Sequence, residues 1–75
     1  MTLETILKEL FKHFPSAHIK SNAVVITDDI REAQIFLHNN EWQINSIEDG
    51  EVLGINFAET GERAIKAAMK WLMED

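Results

Sequence analysis

A chain of 75 residues has room for one domain, in the size range where a single apolar core barely offsets the entropy of ordering the backbone. It contains no cysteine, which excludes disulfides and thiolate metal sites, so stability must come from packing or from association with a second copy. The formal net charge of −6 reads first as solvated turns that keep a small sheet soluble and discourage edge pairing, and second as a surface for a basic partner; it repels a phosphate backbone.

The charge is unevenly placed. Residues 21 to 62 carry nine acids (Asp28, Asp29, Glu32, Glu41, Glu48, Asp49, Glu51, Glu59 and Glu62) against Arg31 alone, whereas the segments on either side each carry a small positive excess. Thr2-Leu3-Glu4 shows no basic stretch leading into a long apolar run, so neither a signal peptide nor a bilayer span is expected, and a reducing, cytoplasmic setting follows.

Leu3, Ile6, Leu7, Leu10, Phe11 and Phe14 recur at the three- and four-residue spacing of one helical stripe, which predicts a helix from Thr2 to Phe14. Thr2 suits the N-cap, Glu4 the positive end, and Lys8 a pairing with Glu4 one turn away. Pro15 stops the helix, because the residue before a proline is forced out of helical geometry. Ser16 to Asn22 has no clear period beyond an extended start at His18-Ile19, and the β-branched run Ala23 to Thr27 predicts a strand.

Residues 28 to 40 admit two readings. Asp29-Ile30-Arg31-Glu32 has the chemistry of a helix start, with Ile30, Ala33, Phe36 and Leu37 on one helical face. The alternation of Ala33, Ile35 and Leu37 with Gln34, Phe36 and His38, ahead of a turn-forming Asn39-Asn40, favours a strand from Glu32 to His38. Glu41 to Ile47 alternates as the next strand, with Trp42 on the core side beside Ile44, and Glu48-Asp49-Gly50 makes a turn. Leu53, Ile55 and Phe57 are then expected on the core side, with Gly54 leaving a gap on the outer face. Thr60 caps a second helix whose core stripe is Ala64, Ile65, Ala68, Met69 and Leu72, widened by Ala67 and Trp71; Glu62 and Lys66 can pair on its outer side.

The order predicts a single α+β domain over residues 1–75: a two-layer sandwich of helix, three- or four-stranded antiparallel meander and helix, with both helices covering one face of the sheet. No catalytic set stands out. His13, His18 and His38 lack metal-ligand spacing, Ser16, Ser21 and Ser46 lie in no nucleophile context, and the three glycines form no phosphate-cradling loop. Asp28-Asp29 lacks the alternating ligands of a calcium loop. No enzymatic activity, cofactor or metal is expected.

The expectation is therefore a protein-binding adaptor or inhibitor module. Asp28, Asp29, Glu41, Glu48, Asp49 and Glu51 form its acidic partner-facing surface, with Phe36 and Trp71 as aromatic contacts. One form of it is a nucleic-acid-mimicking inhibitor of the kind carried by phages and other mobile elements. Two alternatives stand beside it: a nucleic-acid-binding module using Arg63, Lys66, Lys70 and the lysines of the first helix, and a structural homodimer joined through a sheet edge or the open sheet face.

The helix–meander–helix order resembles the double-stranded-RNA-binding-domain-like fold. In the last helix, Ala64-Ile65-Lys66-Ala67-Ala68-Met69-Lys70 is similar to the A-K-x-A-A-x-K portion of that family's motif. Aligning Ala64 on the family alanine puts Gly61, Glu62 and Ile65 on the three basic positions, and no Gly-Pro-x-His type loop is present. The resemblance thus implies the fold and a helix layer on one sheet face, while the side chains that grip RNA phosphates are replaced.

Overall fold

The computed structural model describes residues 1–74. Seven elements follow in order: α1 (Leu3–Phe11), β1 (His18–Lys20), β2 (Ala23–Asp28), β3 (Arg31–His38), β4 (Glu41–Glu48), β5 (Glu51–Ala58) and α2 (Gly61–Met73). The strands form one sheet in the order β1-β2-β3-β4-β5, each antiparallel to its neighbours. Residues 31–38 are thus a strand and not a helix, and the meander has five strands because the unpatterned His18–Lys20 segment adds one at the edge.

Two-residue turns build this meander. Ser21-Asn22 (φ 52° and 61°), Asn39-Asn40 (51° and 63°) and Asp49-Gly50 (51° and 82°) hold both central residues at positive φ, the type I′ pattern whose twist matches that of the flanking strands. Between Asp28 and Arg31 only Asp29 is positive, at 58°, as in a type II′ turn. Asn, Asp and Gly tolerate this region best, so the turn residues fix where each strand ends.

The helices start on the expected caps: the Thr2 hydroxyl accepts from the Thr5 N–H at 3.2 Å, and the Thr60 hydroxyl from the Arg63 N–H at 3.2 Å. Helix α1 ends at Phe11, three residues before the proline limit. The Phe14 N–H then bonds to the Leu10 carbonyl at 2.8 Å and the Ala17 N–H to the Phe14 carbonyl at 3.0 Å, coiling the chain so that Phe14 and Ala17 enter the core. With a single neighbouring helix, α1 buries only the line of Ile6 and Leu10 fully, and Phe11 faces solvent instead of joining the stripe. The ion pair on α1 joins Lys12 to Glu9 (3.1 Å) in place of the expected Glu4–Lys8 contact; it is exposed and contributes little.

The core lies between the helices and one face of the sheet. Ile6, Leu10 and Phe14 from the first helical region and Ala64, Ala68 and Leu72 from α2 pack on Val24, Ile26, Ala33, Ile35, Trp42, Ile44 and Ala58. Trp42 is buried beside Ile44, as its alternation predicts. The alanines of α2 bring that helix close to the sheet.

Because β1 has only three residues, the outer side of β2 runs past it. Ser16 fills the gap: its hydroxyl donates to the Thr27 carbonyl at 2.6 Å and accepts from the Thr27 N–H at 3.0 Å, so one side chain takes the place of a missing strand residue. Ser16→Ala leaves both β2 groups to water and is expected to cost about 1 kcal/mol in urea denaturation, without change of fold.

Strand β5 departs from the sequence expectation. Its register places Phe57 opposite Gln43, Ile55 opposite Asn45 and Val52 opposite Ile47, all on the face away from the helices, while Gly54 lies opposite Ser46 and Asn56 opposite Ile44 on the helix side. Gly54 therefore leaves its gap towards the helix layer, where nothing lies within 4 Å of a Cβ built on it, and Leu53, Ile55 and Phe57 lie outside the core. The cause is the anchoring of β5 at its ends. Ala58 is the buried residue that meets the core beside Trp42, and from Ala58 strict alternation sends Phe57 and Ile55 outward. A bulge opposite Ser46 and Ile47 absorbs one extra residue, Leu53.

Candidate functional site

In a meander, alternate turns fall at the same end of the sheet. The β2–β3 and β4–β5 turns therefore meet, and the Asp49 N–H donates to the Ile30 carbonyl at 2.8 Å to tie them together. This end collects Asp28, Asp29, Glu48, Asp49 and Glu51. Glu41 stands apart at the opposite end, on the β3–β4 turn, about 20 Å away at the rise of an extended strand.

Within the acidic end, Arg31 is held by several partners at once. Its Nε donates to Glu48 at 3.2 Å, its Nη1 donates to the carbonyls of Trp71 (2.9 Å) and Glu74, and its guanidinium lies 4.5 Å from the centroid of the Trp71 ring. The Trp71 indole N–H donates in turn to the Glu32 carbonyl at 3.0 Å. One arginine thus joins β3 to β4, satisfies carbonyls at the end of α2 and stacks on its aromatic. Glu48 and Trp71 are spent on holding the C-terminal helix to the sheet, which leaves Asp28, Asp29, Asp49 and Glu51 as the exposed acids of the two turns, with no ion pair among the described residues.

The face of the sheet opposite the helices is covered by no element among the described residues. One row across it reads His18, Val25, Gln34, Asn45, Ile55, and another runs through Phe36, Gln43 and Phe57. Phe36 is half-buried here, over a shallow hollow that His18, Lys20, Val25 and Gln34 also line. Amides bridge the centre: Gln43 donates to Asn45 (3.0 Å), Asn45 to Gln34 (3.3 Å) and Gln34 to the Glu32 carboxylate (2.8 Å). This chain satisfies the polar groups among themselves, and no buried side-chain polar atom lacks a partner among the described residues.

Beyond the amides, β5 exposes Val52 (52%), Leu53 (54%), Ile55 (54%) and Phe57 (57%). These four large apolar side chains lie on one strand at the margin of the sheet, next to Asp49 and Glu51 in the chain, and no other strand among the described residues exposes as many. Alternation grouped Leu53, Ile55 and Phe57 but assigned them to the core; what sequence reasoning lacked was the register with β4, which decides the face.

The basic residues named as an alternative interface, Arg63, Lys66 and Lys70, are exposed on α2, and Lys8 and Lys12 are exposed on the neighbouring α1. Glu4, Glu9 and Glu62 are exposed on the same two helices, so the layer has mixed charge. Among the described residues no group of three histidine or acidic side chains is placed to hold a metal ion, and no helix is long and apolar enough to cross a membrane. No family model matches the chain, and no curated protein or solved structure matches it.

Proposed function

We propose that this protein is a non-enzymatic binding module for a basic protein partner. The observation that supports it is the juxtaposition of an acidic turn end, with Asp28, Asp29, Asp49 and Glu51 exposed, and the uncovered apolar side chains of β5 that start where Glu51 leaves the turn. The acids steer a basic surface into place, and Val52, Leu53, Ile55 and Phe57 supply the apolar contact that holds it. Phe36 extends that contact across the open face. In the inhibitor form of this function, the protein occupies a basic groove that nucleic acid would otherwise fill.

The test is capture from an extract of the native cell on immobilised protein. A partner held in this way elutes as salt rises towards 1 M, where the screening length falls to about 3 Å. Its retention on an Asp49→Asn, Glu51→Gln variant drops by about tenfold, as expected for losing two steering charges from one patch. A partner whose retention ignores both salt and the two substitutions overturns the proposal.

A further inference from the structure

We infer that β5 is an acceptor edge: it binds its partner as an added antiparallel strand, supplied by an extended segment with alternating apolar residues and a basic residue towards each end. The inference rests on the basic-partner proposal and specifies how that partner is held.

The two edges of the sheet differ. β1 is three residues long, and Ser16 satisfies the part of β2 that β1 leaves uncovered. β5 is eight residues long, ends the sheet with no strand beyond it among the described residues, and contains no proline, lysine or arginine. Natural edges are blunted by short length, inward charges, lysine, proline or a bulge. On β5 only the bulge at Val52-Leu53 serves, and it leaves Gly54 to Ala58 regular.

Both faces of this edge are also accessible. Open space surrounds the Gly54 position on the helix side, Asn56 is exposed there, and Ile55 and Phe57 are exposed on the other side. An added strand therefore meets no steric barrier, and every second residue of it falls beside Ile55 and Phe57.

Charge selects the occupant. The edge is bracketed by acids, with Asp49 and Glu51 at its start and Glu59 and Glu62 just past its end. In a second copy paired antiparallel about Ile55, Glu51 of one chain falls opposite Glu59 of the other, an unfavourable like-charge pair. A segment with lysine or arginine towards each end meets carboxylates at both.

The experiment uses the full chain, isotopically labelled, with NMR detection of its amides. The probe is a synthetic ten-residue peptide of alternating valine and threonine with a lysine at each end; controls are the same peptide with glutamates at the ends and the same peptide with every backbone nitrogen between its ends methylated, which removes the donors of both strand edges. The expected result is saturable shifts concentrated at residues 51–58 with the lysine-ended peptide, weakened at least about tenfold by the glutamate ends and abolished by methylation. Equal binding of the methylated peptide overturns strand addition while leaving a basic partner in place. Equal binding of the glutamate-ended peptide overturns the basic-partner proposal itself. No shifts at millimolar peptide overturn the acceptor edge, and shifts at residues 51–58 that follow protein concentration without peptide overturn the basic occupant in favour of a second copy.

Discussion

Replacing Ile44 with alanine is expected to cost about 3 kcal/mol, whereas the same replacement at Ile55, in the neighbouring strand, is expected to cost less than about 1 kcal/mol. Ile44 is 1% exposed, next to Ile35 in the register and inside the cluster that α1 and α2 cover. Truncating it removes a buried side chain and leaves a cavity that a rigid sheet cannot close. Ile55 lies over the amide of Asn45 on the open face and is more than half exposed. A domain of this size has a total stability of about 5 kcal/mol, so the first variant is close to unfolding at room temperature and the second is indistinguishable from the parent in most assays. Urea denaturation of both, at equal protein concentration, decides it. Equal losses at the two sites would mean that β5 faces the core.

Arg31→Ala is the other large effect, at about 2 kcal/mol and a fall in Tm of roughly 10 °C for a chain of this length. The loss is more than one salt bridge. The Glu48 carboxylate loses its partner, the Trp71 and Glu74 carbonyls at the end of α2 lose their donor, and the Trp71 ring loses the cation stacked on it. Arg31→Lys restores little, because a single ammonium cannot reach carboxylate, carbonyls and ring face together. Glu48→Gln is much milder, since it keeps an acceptor for the guanidinium at a half-buried site. Thermal unfolding of the three variants gives the ranking alanine, lysine, glutamine from worst to best; a glutamine variant as unstable as the alanine one would show that the ion pair alone carries the effect.

Much of the architecture was legible because local chemistry and tertiary structure agree. Thr2 and Thr60 are caps in sequence and in structure, and Asn39-Asn40 and Asp49-Gly50 have the residues their turns require. The alternation of Ala33, Ile35 and Leu37 outweighed the helix-start chemistry of residues 29–32, because Asp29 caps nothing and instead takes the positive φ of a hairpin turn. What was not legible required distance. β1 is too short to show a period. Arg31 is visible in sequence only as the single cation of an acidic segment, and its partner Trp71 lies forty residues away. The face of β5 was misassigned for the same reason, since alternation groups Leu53, Ile55 and Phe57 but cannot say what they face.

For the candidate site, sequence reasoning named the acids and left their grouping open. The turns bring five of the six together, place Glu41 at the other end and turn Glu48 inward to Arg31. The apolar partner of those acids was hidden inside the presumed core.

The most direct test of the central claim measures folding stability and peptide binding on one protein, the Ile55→Thr, Phe57→Thr double variant, chosen because threonine suits a strand. The expected result is stability within about 1 kcal/mol of the parent, together with at least a tenfold loss of affinity for the lysine-ended peptide. Unfolding of the double variant would return these side chains to the core, and binding at parental strength would remove β5 from the docking surface; either result contradicts the account.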